Sequence, residues 1–111
     1  MVGGKHMTDD CLYIRPSGDP LTVQGFQDMF SSGDVKMDSA KLLDIYKIVI
    51  TGNTAYSVYS FHGVFSYKGQ GNDDIAVFTE LYQKIDGVWK IVHGQRSTGR
   101  KPDDPKISFP N

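Results

Sequence analysis

From Val35 onward, apolar and polar residues alternate in four long runs parted by short turn signals. Val35 to Ile50 is the first run, with a bend or bulge expected around Asp38 to Lys41. Gly52-Asn53 makes a tight turn, and Thr54 to Tyr67 follows, carrying Tyr56, Tyr59, Phe61 and Phe65. Lys68 to Asp73 reads as a flexible hairpin loop and Asp74 to Ile85 as the next strand. Asp86-Gly87 is a two-residue hairpin signal, because both positions tolerate the positive φ that such turns demand. Val88 to Thr98 is the last strand. Ahead of these runs, Cys11 to Arg15 is rich in β-formers and stops at Pro16, which has no amide hydrogen for a ladder. Pro16 to Asp19 is a turn. Asp19 is placed to cap a helix with Pro20 at its first position. Leu21, Phe26, Met29 and Phe30 fall near helical spacing, and Gly33 ends the helix. Gly25 within it points to close packing on the sheet or to a close approach by a ligand. Arg100 to Asn111 holds three of the five prolines and reads as an extended tail.

Strands this long twist strongly, and twist gives a sheet a concave face. The pattern predicts an α+β domain over residues 8–99, a curved antiparallel meander wrapped around one main helix, with a tail over 100–111. The helix laid across the concave face leaves a pocket at one end. Of the residues 39% are hydrophobic and 12% aromatic, enough for one core in 111 residues. The charge, 12 − 13 = −1, lacks the footprint of a general nucleic-acid binder. No apolar run reaches the ~18 residues of a membrane span, and Met1 to Asp10 has no apolar leader core. The lone Cys11 excludes an internal disulfide and a cysteine-based zinc cage, and suits a reducing compartment, so a cytoplasmic location is expected. His6-Met7 reads as the remnant of a cloning site, so residues 1–7 are set aside.

The segment Ile85 to Gly99, IDGVWKIVHGQRSTG, carries a resemblance. A D-G-x-W hairpin followed by I-V-H and a closing Ser resembles the last two strands of the NTF2-like (cystatin-like cone) superfamily. Familiar relatives are SnoaL-like proteins and the association domain of calcium/calmodulin-dependent protein kinase II. Uncharacterised cyanobacterial and algal NTF2-like proteins share patterns seen here at Arg15 to Pro20 and at Asn72 to Thr79 (NDDIAVFT). The likeness covers roughly residues 8–99 and implies a cone with shortened N-terminal helices. It places Arg96, the arginine before the closing Ser, toward the pocket as a carboxylate binder. It also sets Gln24, Phe61 and Glu80 where the family carries polar pocket groups. Isomerases, cyclases, dehydratases, hydrolases and non-catalytic adaptors all share this fold, so fold alone does not assign activity.

Alternation puts Trp89, Ile91, His93, Gln95 and Ser97 on one face of the last strand, opposite Lys90, Val92, Gly94 and Arg96. The expected pocket is lined by Gln24, Tyr59, Phe61, Phe78, Glu80, Tyr82 and Arg96. Glu80 has two readings: a general acid/base in an apolar pocket, or the ion-pair partner of Arg96. Arg96 is correspondingly an anion binder or a structural partner. Tyr13, Tyr59 and Tyr82 are hydroxyl donors to a ligand or plain wall. His93 is an interface or catalytic group on the outer face, His62 a structural one, and Arg15 anchors the helix start or rims the pocket mouth. Asp73-Asp74 is a solvated hairpin rather than a metal site, since neighbours on a strand point apart. Gly69-Gln70-Gly71 lacks the lysine-serine pair and helix of a phosphate loop. No cofactor and no metal are expected. The functional expectation is a small-molecule-binding or scaffold domain for an apolar or carboxylate ligand, without nucleic-acid or membrane partners. It is expected to be a homodimer packed through Val77, Leu81, Trp89 and Ile91. The alternative is a cofactor-free isomerase, dehydratase or cyclase using Glu80, with Tyr59 or Arg96 as oxyanion partner.

Overall fold

The structure, a computed structural model, describes residues 6–103. Six strands and one helix follow in the order β1 (Met7–Ile14), β2 (Pro20–Thr22), α1 (Val23–Ser31), β3 (Val35–Thr51), β4 (Thr54–Tyr67), β5 (Gln70–Ile85) and β6 (Val88–Arg96). All strands join one sheet in the order β2-β1-β6-β5-β4-β3. The meander β3 to β6 is antiparallel throughout, as its hairpin turns dictate. The first strand departs from it: β1 lies parallel to β6 and brings its residues against the last strand of the chain.

The short strand β2 replaces the expected first turn of the helix. Pro20 to Thr22 folds back on β1, with Tyr13 opposite Leu21 and Ile14 opposite Pro20. Pro20 is tolerated because β2 is an edge strand. Asp19 is not the helix cap. Its carboxylate pairs with Arg15, and its carbonyl accepts from Arg15 Nε at 3.0 Å. Thr22 caps α1 instead, its Oγ1 accepting from the Gly25 amide at 3.0 Å. That cap also explains Gly25: a Cβ there would meet Thr22 Oγ1 at 3.3 Å and Leu21 Cδ1 at 3.1 Å, so the crowding is local rather than against the sheet. The expected loop Lys68 to Asp73 is a two-residue turn. Lys68 (φ 49°) and Gly69 (φ 84°) adopt the same left-handed pair as Asp86 (φ 51°) and Gly87 (φ 79°), and β5 starts at Gln70. Register shifts in β3 fall between Met37 and Ser39, inside the expected window, and also between Leu42 and Lys47, beyond it. Of the expected tail, residues 104–111 lie outside the described residues, while Arg100 bridges to Ile75.

The core gathers on the concave face from Met7, Cys11, Tyr13, Ala76, Phe78 and Ile91. Met7, set aside on sequence grounds, is 5% exposed and belongs to it. Ile91 had been expected on the outer face. Tyr82 pairs with Ile91 but Leu81 pairs with His93, so Val92 is an extra residue, and this bulge turns Ile91 inward. By the same alternation Trp89 shares the inward face with Lys84, whose ammonium stands 6.0 Å from the indole centroid. Beyond the bulge, Gly94 and Arg96 face inward as expected, and His93 faces outward beside Leu81.

Candidate functional site

Two features share the concave face. The first is a carboxylate held by phenols. Glu80 is 7% exposed. Its Oε2 accepts from Tyr13 Oη at 2.8 Å, and its Oε1 accepts from Tyr59 Oη and Tyr82 Oη, each at 2.9 Å. Tyr82 Oη lies 2.8 Å from Ser57 Oγ and, having given its proton to Glu80, accepts there. A buried charge needs such donors in place of lost water. The phenols respond in turn. Burial, reinforced by the Glu80 charge, pushes Tyr13 and Tyr59 far above the ordinary phenol range. Tyr82 is raised to about 12, chiefly by burial, against a lowering by the Ser57 hydrogen bond. All three therefore remain donors at neutral pH. Tyr13 reaches Glu80 across Gly94, its partner on β6. A Cβ on Gly94 would lie 2.2 Å from the Tyr13 ring, so only glycine leaves room for the phenol.

The second feature is a cavity of about 220 Å³ between α1 and the sheet. Phe26 and Met29 of α1 form one wall, and Phe61, Ala76 and Phe78 of the sheet form the other. Phe78 separates the two features: it stacks on Tyr59 with centroids 5.4 Å apart and takes Tyr13 and Phe61 edge-on at 6.2 and 5.8 Å. Among the described residues three charged side chains reach the cavity: Arg15, Asp74 and Arg96. Arg15 pairs with Asp19. Arg96 stands 3.9 Å from Asp74 Oδ2, and Lys101 Nζ stands 3.5 Å from Asp74 Oδ1. Among the described residues this group sums to +1 (Arg96 +1, Lys101 +1, Asp74 −1). Burial lowers the Arg96 pKa, and the negative charge of Asp74 works against that.

Several solved structures are similar to this fold. An NTF2-like protein of unknown function from Prochlorococcus marinus is 42% identical, with a TM-score of 0.79 over 86% of this chain and 76% of that one. A family model described as protein of unknown function (DUF3804) matches residues 4–104. The chain is an NTF2-like protein of the DUF3804 family. More distant structures share the fold alone. A ketosteroid isomerase-like protein from Erwinia carotovora is 16% identical, with a TM-score of 0.67 over 89% of this chain and 79% of that one. The association domain of the C. elegans calcium/calmodulin-dependent kinase II is 20% identical, with a TM-score of 0.64 over 85% and 76%. Among curated proteins none matches the sequence.

Within this NTF2-like cone the expected pocket residues divide. Phe61, Phe78 and Arg96 line the cavity. Tyr59, Glu80 and Tyr82 lie behind its Phe78 wall in the phenol cluster. Gln24 is not in the pocket: it is exposed and donates to Asp28 Oδ1 at 2.8 Å, because capping at Thr22 turns this position to solvent. The Glu80–Arg96 pair does not form either. Arg96 pairs with Asp74, and Glu80 is satisfied by hydroxyls. Asp74, read as part of a solvated hairpin, is a cavity residue with 19% side-chain exposure. Its signal was present in the alternation, since Asp74, Ala76, Phe78 and Glu80 share one face. The early start of β5 at Gln70 is what carries Asp74 inside the sheet. Arg15 lines the cavity. His62, on the outer face, contacts Asp73 at 2.5 Å. Among the described residues no group of three or more metal-ligating side chains occurs, and no helix is long and apolar enough to cross a membrane.

Proposed function

We propose that this NTF2-like domain binds a small amphipathic anion, its apolar body in the cavity under α1 and its charged group on Arg96. One observation carries the reading. The Arg96 guanidinium sits at the cavity wall with 24% side-chain exposure, and its contact with Asp74 at 3.9 Å is too long for a hydrogen bond. A guanidinium has five N–H donors, and at this partly exposed site they are open to an acceptor that enters the cavity. A carboxylate entering the cavity supplies two acceptors in the geometry that a guanidinium fits best.

The catalytic alternative has less support. As a base, Glu80 needs a free lone pair facing substrate. Three hydroxyls converge on its two oxygens, and Tyr13 and Phe78 stand between it and the cavity. The cluster serves as a rigid floor, a role that accounts for its depth and its three hydrogen bonds.

Phenylacetate and its neutral amide, phenylacetamide, test the reading. In amide-detected NMR titrations phenylacetate is expected to shift residues around Phe61, Phe78 and Arg96 and to bind more tightly than phenylacetamide. Arg96→Gln is expected to weaken phenylacetate binding by about tenfold, the worth of a hydrogen-bonded charge. Equal binding of both compounds to wild type and to Arg96→Gln would dismiss the proposal.

A further inference from the structure

The segment that follows β6 does not leave the sheet. The Ser97 amide donates to the Val77 carbonyl at 2.9 Å, and Ser97 Oγ accepts from the Val77 amide at 2.9 Å. Arg100 then exchanges both backbone hydrogen bonds with Ile75, at 2.8 and 2.9 Å. Residues 97–101 therefore form a strap along β5 past the end of β6. At its middle Gly99 crosses directly over Asp74: a Cβ there would lie 2.8 Å from Asp74 Cβ and 3.3 Å from Arg96 Nη2. At its end Lys101 reaches the far oxygen of the same carboxylate. Asp74 is thus held from two sides, with one oxygen toward Lys101 and the other toward Arg96, yet not close enough to Arg96 to bond.

We propose that Asp74 is a resident competitor for Arg96, so that an anionic ligand binds by taking the guanidinium from it. The inference rests on the binding role of Arg96 proposed above and deepens it. The strap sets the strength of the competition. Lys101 draws Asp74 outward, and the glycine at position 99 lets the strap pass close over its side chain. In the empty cavity Asp74 offsets the buried positive charge. When a carboxylate arrives, Asp74 keeps Lys101 as its partner, so no charge is left alone by the exchange. A neutral ligand cannot displace Asp74, which makes this residue a determinant of specificity as well as of affinity.

Asp74→Asn and Asp73→Asn separate this from a general change in charge. Each variant removes one negative charge from neighbouring positions of the same strand, but Asp73 faces His62 on the outer side. In the same titrations Asp74→Asn is expected to bind phenylacetate about fivefold more tightly than wild type, the scale of one partly exposed ion pair. Its affinity for phenylacetamide, which also reports an intact cavity, stays unchanged, and Asp73→Asn stays within twofold of wild type. Asp74→Ser repeats the test should the Asn variant fold poorly. If wild type binds phenylacetate through Arg96 and neither Asp74 variant binds it more tightly, the competition is refuted and the binding reading stands. An equal gain in Asp73→Asn also refutes it. If none of these proteins distinguishes phenylacetate from phenylacetamide, both readings fall together.

Discussion

At the scale of single residues, the organising fact is that Glu80 and Arg96 occupy one concave face without meeting. Each solved its burial differently. Glu80 collected three phenols, a set that needed Tyr13 from β1, Tyr59 from β4 and Tyr82 from β5 to converge. Among the described residues Arg96 has Asp74 as a partner, at 3.9 Å. Gly94 is the hinge of this arrangement, because it alone gives the Tyr13 ring its place. Gly94→Ala is expected to push Tyr13 off Glu80 and to destabilise the fold by about 1–3 kcal/mol, the usual cost of overpacking. Urea unfolding followed by circular dichroism measures it, and a loss within error of zero would show that the ring has room to move. Nothing in the local sequence HGQR marks this glycine, since its requirement comes from a residue 81 positions earlier in the chain (94 − 13 = 81).

At the scale of elements, one inserted residue decides which side chains enter the core. Strict alternation assigns Ile91 and Trp89 to the outer face, and the bulge at Val92 reverses both. The hairpin turn Asp86-Gly87 and the inward Arg96 were legible because each depends on a short stretch of chain. The bulge was not, because register is settled by both strands together. Ile91→Ala, at a position 4% exposed, tests the inward register that the bulge imposes. The expected cost is about 2–5 kcal/mol, the range for truncating a buried isoleucine. A lowered urea unfolding midpoint reports it. A variant as stable as wild type would place Ile91 on the outer face and remove the bulge.

At the scale of the whole molecule, apolar surface remains open. Val77 and Leu81 are 37% and 42% exposed on the outer face, and on the concave side of β3, beyond the reach of α1, Ile45, Ile48 and Ile50 are 55–64% exposed. Monomers rarely leave so much apolar sheet in water. The dimer expected from the sequence keeps Val77 and Leu81 as its basis and loses Ile91 and Trp89, which face inward. Sedimentation at micromolar concentration is expected to give a dimer, and Val77→Lys combined with Leu81→Lys to give a monomer. A wild-type protein that sediments only as monomer would remove the outer face as an interface.

The strand-rich meander, the helix and its glycine stop, the Asp86-Gly87 turn, the family resemblance, and the placement of Phe61, Phe78, Glu80 and Arg96 on the face toward the helix were all legible in the amino-acid order. These follow from periodicity and turn chemistry, which act over a few residues. The folded arrangement was needed to show that Thr22 caps the helix, that β1 runs parallel beside β6, that Glu80 takes tyrosines and that Arg96 takes Asp74. Those outcomes depend on which strands become neighbours and on a one-residue slip between them. Partner choice among buried polar groups is set by distances of a few ångströms between segments far apart in the chain, and a linear pattern carries no measure of those distances.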